Sequence, residues 1–435
     1  MKLNYKRTFF IGFAFMSICT FWQLYDNIVQ LILKETFNLS NFATGFVMAA
    51  DNVLALFLLP LFGTLSDKVD TKWGKRTPFI VFGTIAAVVT MMLLPIADNT
   101  QNFLLFIISL GFLLVIMGTY RSPAVALMPD LTPKPLRSKA NAVINLMGAV
   151  GGILALAFIK ILVKKVDKPN YFNVFLSVAI VMVLAVVVLI LTINEKKMAI
   201  NESDSKQEEE SGEKAAMAPE VKRSLIFMLA SVALWFMAYN SVTSAFPRYA
   251  KAVWNLQGGD FTTPLLIASA GAIVSYIPIG IIASNIGRKK TILGGVVLLA
   301  MMFGSGVFFT ASNYNSGINL FGMVRIEWIY ILFALVGVAW AAINVNSYPM
   351  VVEMSKGTDI GKYTGYYYTF SMAAQVLTPI LSGYLIDHTT VSYRILFPYA
   401  AIFAVLAAIT MLFVKHGDSK PPKKESKLES FDIED

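Results

Sequence analysis

The stretch Gly63-Thr-Leu-Ser-Asp-Lys-Val-Asp-Thr-Lys-Trp-Gly-Lys-Arg-Thr-Pro-Phe-Ile80 joins two long apolar runs of the chain. It opens with small residues, continues with an acid and ends in a group of basic residues. A shorter, degenerate copy, Gly280-Ile-Ile-Ala-Ser-Asn-Ile-Gly-Arg-Lys-Lys290, lies in the second half. A loop that recurs once in each half indicates that two related sets of apolar segments make up the protein.

The composition is that of a membrane protein. Of 435 residues, 56% are hydrophobic and only 14% are charged, which is too little charge to cover a soluble protein of this size. A spanning helix needs roughly 20 mostly apolar residues, and lipid cannot satisfy the open edge of a sheet. We therefore predict an all-α membrane protein with twelve transmembrane helices in two six-helix bundles. The predicted spans are 8–33, 42–65, 78–97, 103–122, 139–163, 171–193, 223–246, 264–284, 291–311, 327–347, 363–386 and 392–414.

A polar segment separates the two predicted bundles. Residues 194–222 are highly charged and contain no aromatic residue, so they cannot bury enough apolar area to fold. We predict an N-terminal bundle over 1–193, a cytoplasmic linker over 194–222, a C-terminal bundle over 223–414 and a cytoplasmic tail over 415–435.

The distribution of Lys and Arg predicts the orientation. With both termini in the cytoplasm, most basic loops lie on the inner side of the plasma membrane, as the positive-inside rule requires. The net charge of +9 is explained in this way without a nucleic-acid partner. We expect the first run to be an uncleaved span and not a signal peptide, because it is too long and lacks a cleavage site. One predicted outer loop is an exception, with Lys160, Lys164, Lys165 and Lys168.

The inner loops carry candidate gating residues. Asp67 follows the second span, where its carboxylate can accept hydrogen bonds from a helix N-terminus or pair with an arginine. An echo lies downstream, where Asp130 precedes Lys139 by nine residues and Glu353 precedes Lys362 by nine. The alternative is a plain basic inner loop. The predicted gating residues are Asp67, Lys75, Arg76, Arg121, Asp130, Arg137 and Arg288.

Arg121 at the end of the fourth span leaves three interpretations open. It can pair with Asp67 in the gate, pair with an acid in a cavity, or reach the interface by snorkelling.

Two carboxylates fall inside predicted spans, Asp26 in the first and Asp51 in the second. An intramembrane charge costs about 2.5–3.5 kcal/mol on insertion scales, so such residues are functional candidates. A desolvated carboxylate can load and release a proton near neutrality, and we predict either acid as the proton-coupling residue. A structural hydrogen-bonded role is the alternative for Asp51.

Polar residues surround Asp26. Helical spacing predicts that Gln23, Asp26, Asn27 and Gln30 share one face, flanked by aromatic residues. Amides and carboxylates suit sugar hydroxyls, and aromatic rings suit the C–H faces of a sugar. The alternative is polar packing between helices. In the second half the predicted substrate-binding residues are Tyr239, Asn240, Asn344 and Gln375.

Cysteine and histidine are too few for a metal cluster or a disulfide framework, with one cysteine and two histidines in the chain. No nucleophile–histidine set or phosphate-binding loop is present. We predict no cofactor, no metal and no enzyme activity. A closely spaced pair, Gly148 and Gly152, predicts close helix packing.

The spacing of the loop glycines carries a family resemblance. Gly280 and Gly287 are seven apart, as in the usual major facilitator motif, whereas Gly63 and Gly74 are eleven apart. The longer form, followed by basic residues and Pro-Phe-Ile, resembles the plant sucrose–proton symporters and their relatives. It is also similar to the loop of the glycoside–cation symporters such as melibiose permease.

A second block strengthens the resemblance to sucrose transporters over spans two to five. It consists of Ala126-Leu-Met-Pro-Asp-Leu-Thr132, Arg137-Ser-Lys-Ala-Asn-Ala142 and Met147-Gly-Ala-Val-Gly151. The second half resembles them mainly through general facilitator features. Melibiose permease carries two aspartates in its second span near the loop, whereas Asp51 stands alone and further out, so a sodium site of that kind is not implied.

The resemblance implies the major facilitator fold and import of a di- or oligosaccharide, sucrose- or maltose-like, together with a proton. Transport would occur by alternating access, in a protein that functions as a monomer in the lipid bilayer. One alternative is an exporter of a drug or an organic acid with the same fold. The other is a membrane enzyme or a non-transporting sensor.

Overall fold

The computed structural model describes residues 3–133, 136–166, 168–198, 218–320, 324–354 and 360–418. Helices make up nearly all of this part of the chain. In chain order they are α1 (Tyr5–Leu24), α2 (Asn41–Asp67), α3 (Thr77–Met91), α4 (Leu93–Asn99), α5 (Phe103–Asp130), α6 (Arg137–Leu162), α7 (Phe172–Thr192), α8 (Glu195–Met198), α9 (Pro219–Thr243), α10 (Phe246–Trp254), α11 (Thr262–Ile286), α12 (Arg288–Gly306), α13 (Trp328–Glu353), α14 (Ile360–His388) and α15 (Leu396–Leu412).

Twelve of the segments in the described part are long and apolar enough to span a membrane, which confirms the prediction. The first span continues α1 through π-helical turns to Thr36, and the third combines α3 and α4. The last span starts with a short 3-10 turn from Ser392. Helices are the expected answer, because a helix satisfies its own backbone hydrogen bonds in lipid. Among the described residues, the short helices α8 and α10 lie outside the spans.

Pro95 explains why the third span has two parts. It lies in the first turn of α4, just after the break at Met92. A proline has no N–H to donate to the carbonyl four residues earlier, here Met91, and its ring collides with that carbonyl. The helix therefore stops at Met91 and restarts.

Contacts divide the chain into two compact units, Met1–Ile200 with Leu256–Leu266, and Asn201–Asn255 with Ile267–Asp435. In the first unit α1 packs on α6 and α7, while α5 packs on α2 and α3. In the second unit α9 packs on α14 and α15, and α12 packs on α13 and α15.

Glycines of α6 allow α1 to approach closely. A Cβ on Gly148 would lie 2.6 Å from the ring of Phe15, and a Cβ on Gly151 would lie 2.5 Å from the carbonyl oxygen of Met16. Gly152 has no neighbour within 4 Å of such a Cβ. The prediction that Gly148 and Gly152 form the packing pair is therefore wrong for Gly152, and Gly151 takes its place.

Two lysines of the predicted outer loop have a partner within the first unit. Lys160 and Lys165 each lie 2.6 Å from a carboxylate oxygen of Asp260. Asp260 belongs to the segment Leu256–Leu266 that groups with this unit. The charge of that loop is thus partly compensated by an acid that lies far away in the sequence.

The ends of the predicted linker are folded. Glu195–Met198 forms α8, and α9 already begins at Pro219, inside the range 194–222. Residues 199–217 and the tail from 419 onward lie outside the described residues. In the second unit two short antiparallel strands, β1 (Gly317–Leu320) and β2 (Val324–Glu327), lie between α12 and α13.

Candidate functional site

The first span changes its helical geometry at Asp26. After Leu24 the chain forms π-helical turns over Tyr25–Val29 and again over Ile32–Thr36. A π turn holds one residue more than an α turn and occurs frequently at functional sites. An apolar sequence does not by itself require π turns, so these turns distinguish the part of the first span that carries Asp26.

The polar residues of the first span divide between two environments. Asn27 and Gln30 are buried, at 3% and 0% exposure, whereas Asp26 is exposed and Gln23 is partly buried. The four residues of the predicted polar face therefore differ in burial, and the π turn changes the angular spacing that the 3.6-residue pattern assumes. The buried amides bond back to the backbone: Asn27 donates to the carbonyl of Gln23 at 2.8 Å, and Gln30 donates to the carbonyl of Asp26.

Three charged side chains come together in the first unit, Asp26 from the first span, Asp51 from α2 and Arg121 from α5. Asp26 lies within electrostatic range of both others, and Asp51 lies within range of Arg121. Asn52 donates a hydrogen bond of 2.9 Å to Asp51. We call these three residues the intramembrane charge group. When both acids are ionised the group carries one negative charge more than its arginine compensates.

Arg121 lies beside the first span and not in the predicted gate. Its guanidinium carbon is 5.4 Å from the centre of the Trp22 ring, within the range of a cation–π contact. Asp67, one of the predicted partners of Arg121, pairs with Arg76 instead. Of the three interpretations, this geometry favours pairing of Arg121 with an intramembrane acid. The predicted gating contact between Arg121 and Asp67 is replaced by the pair of Arg76 and Asp67.

An aromatic stack in the second unit includes Tyr239, the residue that precedes Asn240. The rings of Tyr239 and Trp340 are parallel within 11°, with centroids 3.8 Å apart, and Phe236 meets Trp340 edge-on. The side-chain nitrogen of Asn240 is buried without a hydrogen-bond partner in the described part of the chain. The sequence reasoning missed Trp340, although Asn344 one turn later was a usable signal.

The other two predicted substrate-binding residues of this unit are Asn344 and Gln375. Asn344 and Gln375 are partly buried. The neighbouring Ser347 and Tyr367 share a hydrogen bond of 2.9 Å, and Tyr348 and Thr364 share another of 2.9 Å. These hydroxyls form a second polar group that the sequence reasoning had not identified.

Three of the predicted gating residues form one cluster, Asp67 at the end of α2, Arg76 before α3 and Asp130 at the end of α5. The Nε of Arg76 donates to Asp130 at 2.7 Å, and its other nitrogens donate to Asp67 and Ser66. Arg76 is buried at 5% exposure. We call Asp67, Arg76 and Asp130 the latch cluster.

The electrostatics of the latch cluster keep Arg76 charged. Burial lowers the pKa of Arg76, but the hydrogen bond and charge of Asp130, followed by those of Asp67, outweigh burial and raise the pKa. A guanidinium that meets two carboxylates uses the fork geometry that lysine lacks.

The remaining predicted gating residues, Lys75, Arg137 and Arg288, do not belong to the latch cluster. Arg137 donates to the carbonyls of Thr132 and Pro129 and so caps the end of α5. The backbone N–H of Lys75 donates to Glu195, an acid that the prediction had placed in the linker. In the second unit Arg288 pairs with Glu353, which repeats the pairing of Arg76 with Asp130.

Sequence comparison finds sucrose transporters among the relatives. Sucrose transport protein SUC3 of Arabidopsis thaliana is 27% identical over 139 residues, which cover 28% of this chain and 23% of that protein. Sucrose transport protein SUC4 of the same plant is 31% identical over 117 residues, 23% of each protein. The chain thus covers about a quarter of the length of these relatives.

Structural comparison finds the same architecture in solved transporters. The nucleoside transporter NupG superposes with a TM-score of 0.67 at 15% identity, over 95% of this chain and 100% of that one. At this identity the likeness shows the fold alone. The sequence profile of the Major Facilitator Superfamily matches residues 11–324 and 254–433, which together cover nearly the whole chain. The chain therefore belongs to the Major Facilitator Superfamily.

Proposed function

We propose that the protein carries a di- or oligosaccharide across the membrane together with a proton, by alternating access. The observation that carries this proposal is the intramembrane charge group, in which two acids lie near one arginine inside spanning helices. The partial similarity to sucrose transporters supports a sugar as the substrate.

We infer proton coupling from the charge of that group. Asp26 is accessible although it lies well inside a 32-residue span. Each uncompensated charge in the membrane is costly, and one arginine cannot compensate two carboxylates. Binding of one proton makes the group neutral, so the loaded carrier changes conformation at a lower electrostatic cost than the unloaded, charged one. We assign the proton to Asp26, with Asp51 as its electrostatic partner.

Each unit supplies groups with the chemistry of sugar binding. In the first unit Gln23 and Asp26 are accessible, and the side-chain oxygen of Asn27 is buried without a hydrogen-bond partner in the described residues. In the second unit the side-chain nitrogen of Asn240 has no hydrogen-bond partner among the described residues, and the preceding Tyr239 stacks on Trp340. Amides bind hydroxyls, and the flat rings offer an apolar surface to the C–H face of a pyranose.

The latch cluster is proposed to hold one access state closed. Its arginine joins the ends of α2 and α5 to the start of α3. Such contacts must break when the helix ends separate. In the second unit the pair of Arg288 and Glu353 is proposed to act in the same way. We propose that this end faces the cytoplasm of a cell whose plasma membrane holds the protein.

Uptake into proteoliposomes tests this function. Purified protein is reconstituted, and a panel of disaccharides is offered with an imposed proton gradient or, separately, an imposed sodium gradient. We expect accumulation of at least one disaccharide with the proton gradient only. Efflux of apolar dyes without sugar uptake would support an exporter, and saturable sugar binding without movement would support a sensor; either result contradicts the proposal.

The aromatic stack yields a prediction about affinity. Trp340→Ala is expected to raise the KM for the sugar about 5- to 10-fold with little change in kcat, because a lost aromatic contact costs about 1–1.5 kcal/mol. Trp328→Ala is the matched control, since Trp328 begins the same helix and is 45% exposed. Initial uptake rates over a range of sugar concentrations give both constants. An unchanged KM in Trp340→Ala would remove the stack from the sugar site.

A further inference from the structure

Glu195 lies at the centre of a dense set of hydrogen bonds in the first unit. Its carboxylate accepts the backbone N–H groups of Lys75 at 2.7 Å, Arg76 at 2.8 Å and Thr77 at 2.8 Å. It also accepts the hydroxyl of Thr77 at 2.7 Å. Glu195 is 4% exposed, so a buried charge is held by four donors. These donors lie at the N-terminus of α3, where backbone N–H groups lack partners within the helix and a negative charge is favoured.

The loop is shaped to admit this carboxylate. Gly74 has a φ of +113°, a conformation that side chains rarely adopt. A Cβ on Gly74 would also collide with the carboxyl group of Glu195. Both observations show that the backbone before α3 is fitted around the acid that follows the sixth span.

The second unit contains the same arrangement in simpler form. Asp418, which follows the last span, accepts the backbone N–H of Lys289 at 2.7 Å, in the first turn of α12. Gly287 has a φ of +96°, and a Cβ on it would lie 3.0 Å from Asp418. The register differs by one residue, because Arg76 stands two positions after Gly74 whereas Arg288 directly follows Gly287.

We propose that Glu195 is a positioning residue for Arg76 of the latch cluster, and that Asp418 is a positioning residue for Arg288. Each carboxylate fixes the short backbone segment that carries the arginine. In the first unit it holds the N–H of Arg76 while the guanidinium of the same residue bonds to Asp130 at 2.7 Å. In the second unit Asp418 fixes the residue next to Arg288, whose side chain pairs with Glu353. The gating consequence rests on the proposed function, but the positioning itself does not.

Hydrogen–deuterium exchange of the purified full-length protein tests the positioning. In Glu195→Ala the amides of residues 75–77 are expected to exchange at least about tenfold faster, because their hydrogen bonds are lost. Glu195→Gln is expected to give a smaller increase, since it keeps one acceptor oxygen and loses the charge. Lys196→Ala is the matched control, because Lys196 contacts Asp70 at 3.2 Å and the carbonyl of Thr71 at 3.3 Å on the surface, and these contacts do not involve the amides of residues 75–77. Asp418→Ala is expected to accelerate exchange at residue 289 in the same way.

A double-mutant cycle tests whether Glu195 acts through Arg76. The melting temperatures of Glu195→Ala, Arg76→Ala and the double variant are compared in the same detergent. If Glu195 positions Arg76, the double variant melts close to the more affected single variant, because interacting residues do not add. Unchanged exchange at residues 75–77, or two fully additive melting shifts, would overturn the proposal. Neither measurement requires transport, so failure of the sugar assay leaves this test intact.

Discussion

Asp26→Asn is expected to abolish accumulation of sugar against its gradient while exchange of sugar across the membrane continues. One proton that moves down 100 mV supplies about 2.3 kcal/mol. Because 1.4 kcal/mol is a factor of ten, that drive supports roughly 50-fold accumulation. Asparagine keeps the size of the side chain and cannot load a proton, so the accumulation ratio should fall to about 1.

The measurement compares uphill uptake with exchange at equal internal and external sugar. Asp98→Asn is the matched control: Asp98 also lies in a spanning helix of the first unit, but it accepts a hydrogen bond of 2.5 Å from Thr36 and lies outside the intramembrane charge group. Asp51→Asn is assayed in parallel, and the acid that carries the proton is the one whose replacement harms accumulation more than exchange. Normal accumulation in both Asp26→Asn and Asp51→Asn would refute the assignment of the proton to this group.

Arg76→Ala is expected to have the second largest effect, on both stability and transport rate. It leaves Asp67 and Asp130 without their shared cation, and Ser66 loses a hydrogen bond. Removal of one partner from a buried pair costs about 3–5 kcal/mol. The acids here are 60% and 37% exposed, so solvent screening reduces the expected cost to about 2–3 kcal/mol. A fall in melting temperature of about 5 °C or more should follow.

Transport by Arg76→Ala should slow about 10- to 100-fold at saturating sugar, because the closed state loses about 1.4–2.7 kcal/mol of latch energy. Lys68→Ala is the control, since Lys68 is an exposed basic residue of the same loop. Arg76→Lys should recover only part of the rate, because an ammonium cannot bond two carboxylates in the guanidinium geometry. Wild-type melting and transport in Arg76→Ala would show that the latch cluster is an ordinary basic loop.

The spans and the approach of Asp67 to Arg76 were predictable because their signals are local, whereas Asp130 joins them from 54 residues further along the chain. Lipid forces each long apolar run to be a helix, and the acid and basic residues of the loop at 63–80 lie close in sequence. Asp67, Arg76 and Asp130 did come together. The partner of Arg121 was not predictable, because one arginine near a helix end has several possible partners. The packing of α5 beside the first span selects among them.

The rest depended on information that composition does not carry. The π turn at Tyr25–Val29 leaves no periodic signal in an apolar helix. The predicted polar face around Asp26 therefore assumes 3.6 residues per turn, which the π turn does not have. Glu195 looked like part of a disordered linker, because its neighbours are charged. Only the folded structure brings it to the N-terminus of α3, more than 100 residues away in the sequence. Trp340 was hidden among other apolar residues until its stack with Tyr239 was visible.

Simultaneous recording of sugar and proton movement tests the coupling of the two most directly. Proteoliposomes that contain a pH-sensitive dye receive an outward-to-inward sugar gradient, with no imposed proton gradient and with the membrane potential clamped. We expect acidification of the lumen as sugar enters through the wild-type protein, and sugar entry without acidification in Asp26→Asn. Sugar entry through the wild-type protein without any proton movement, or equal acidification in Asp26→Asn, would contradict it.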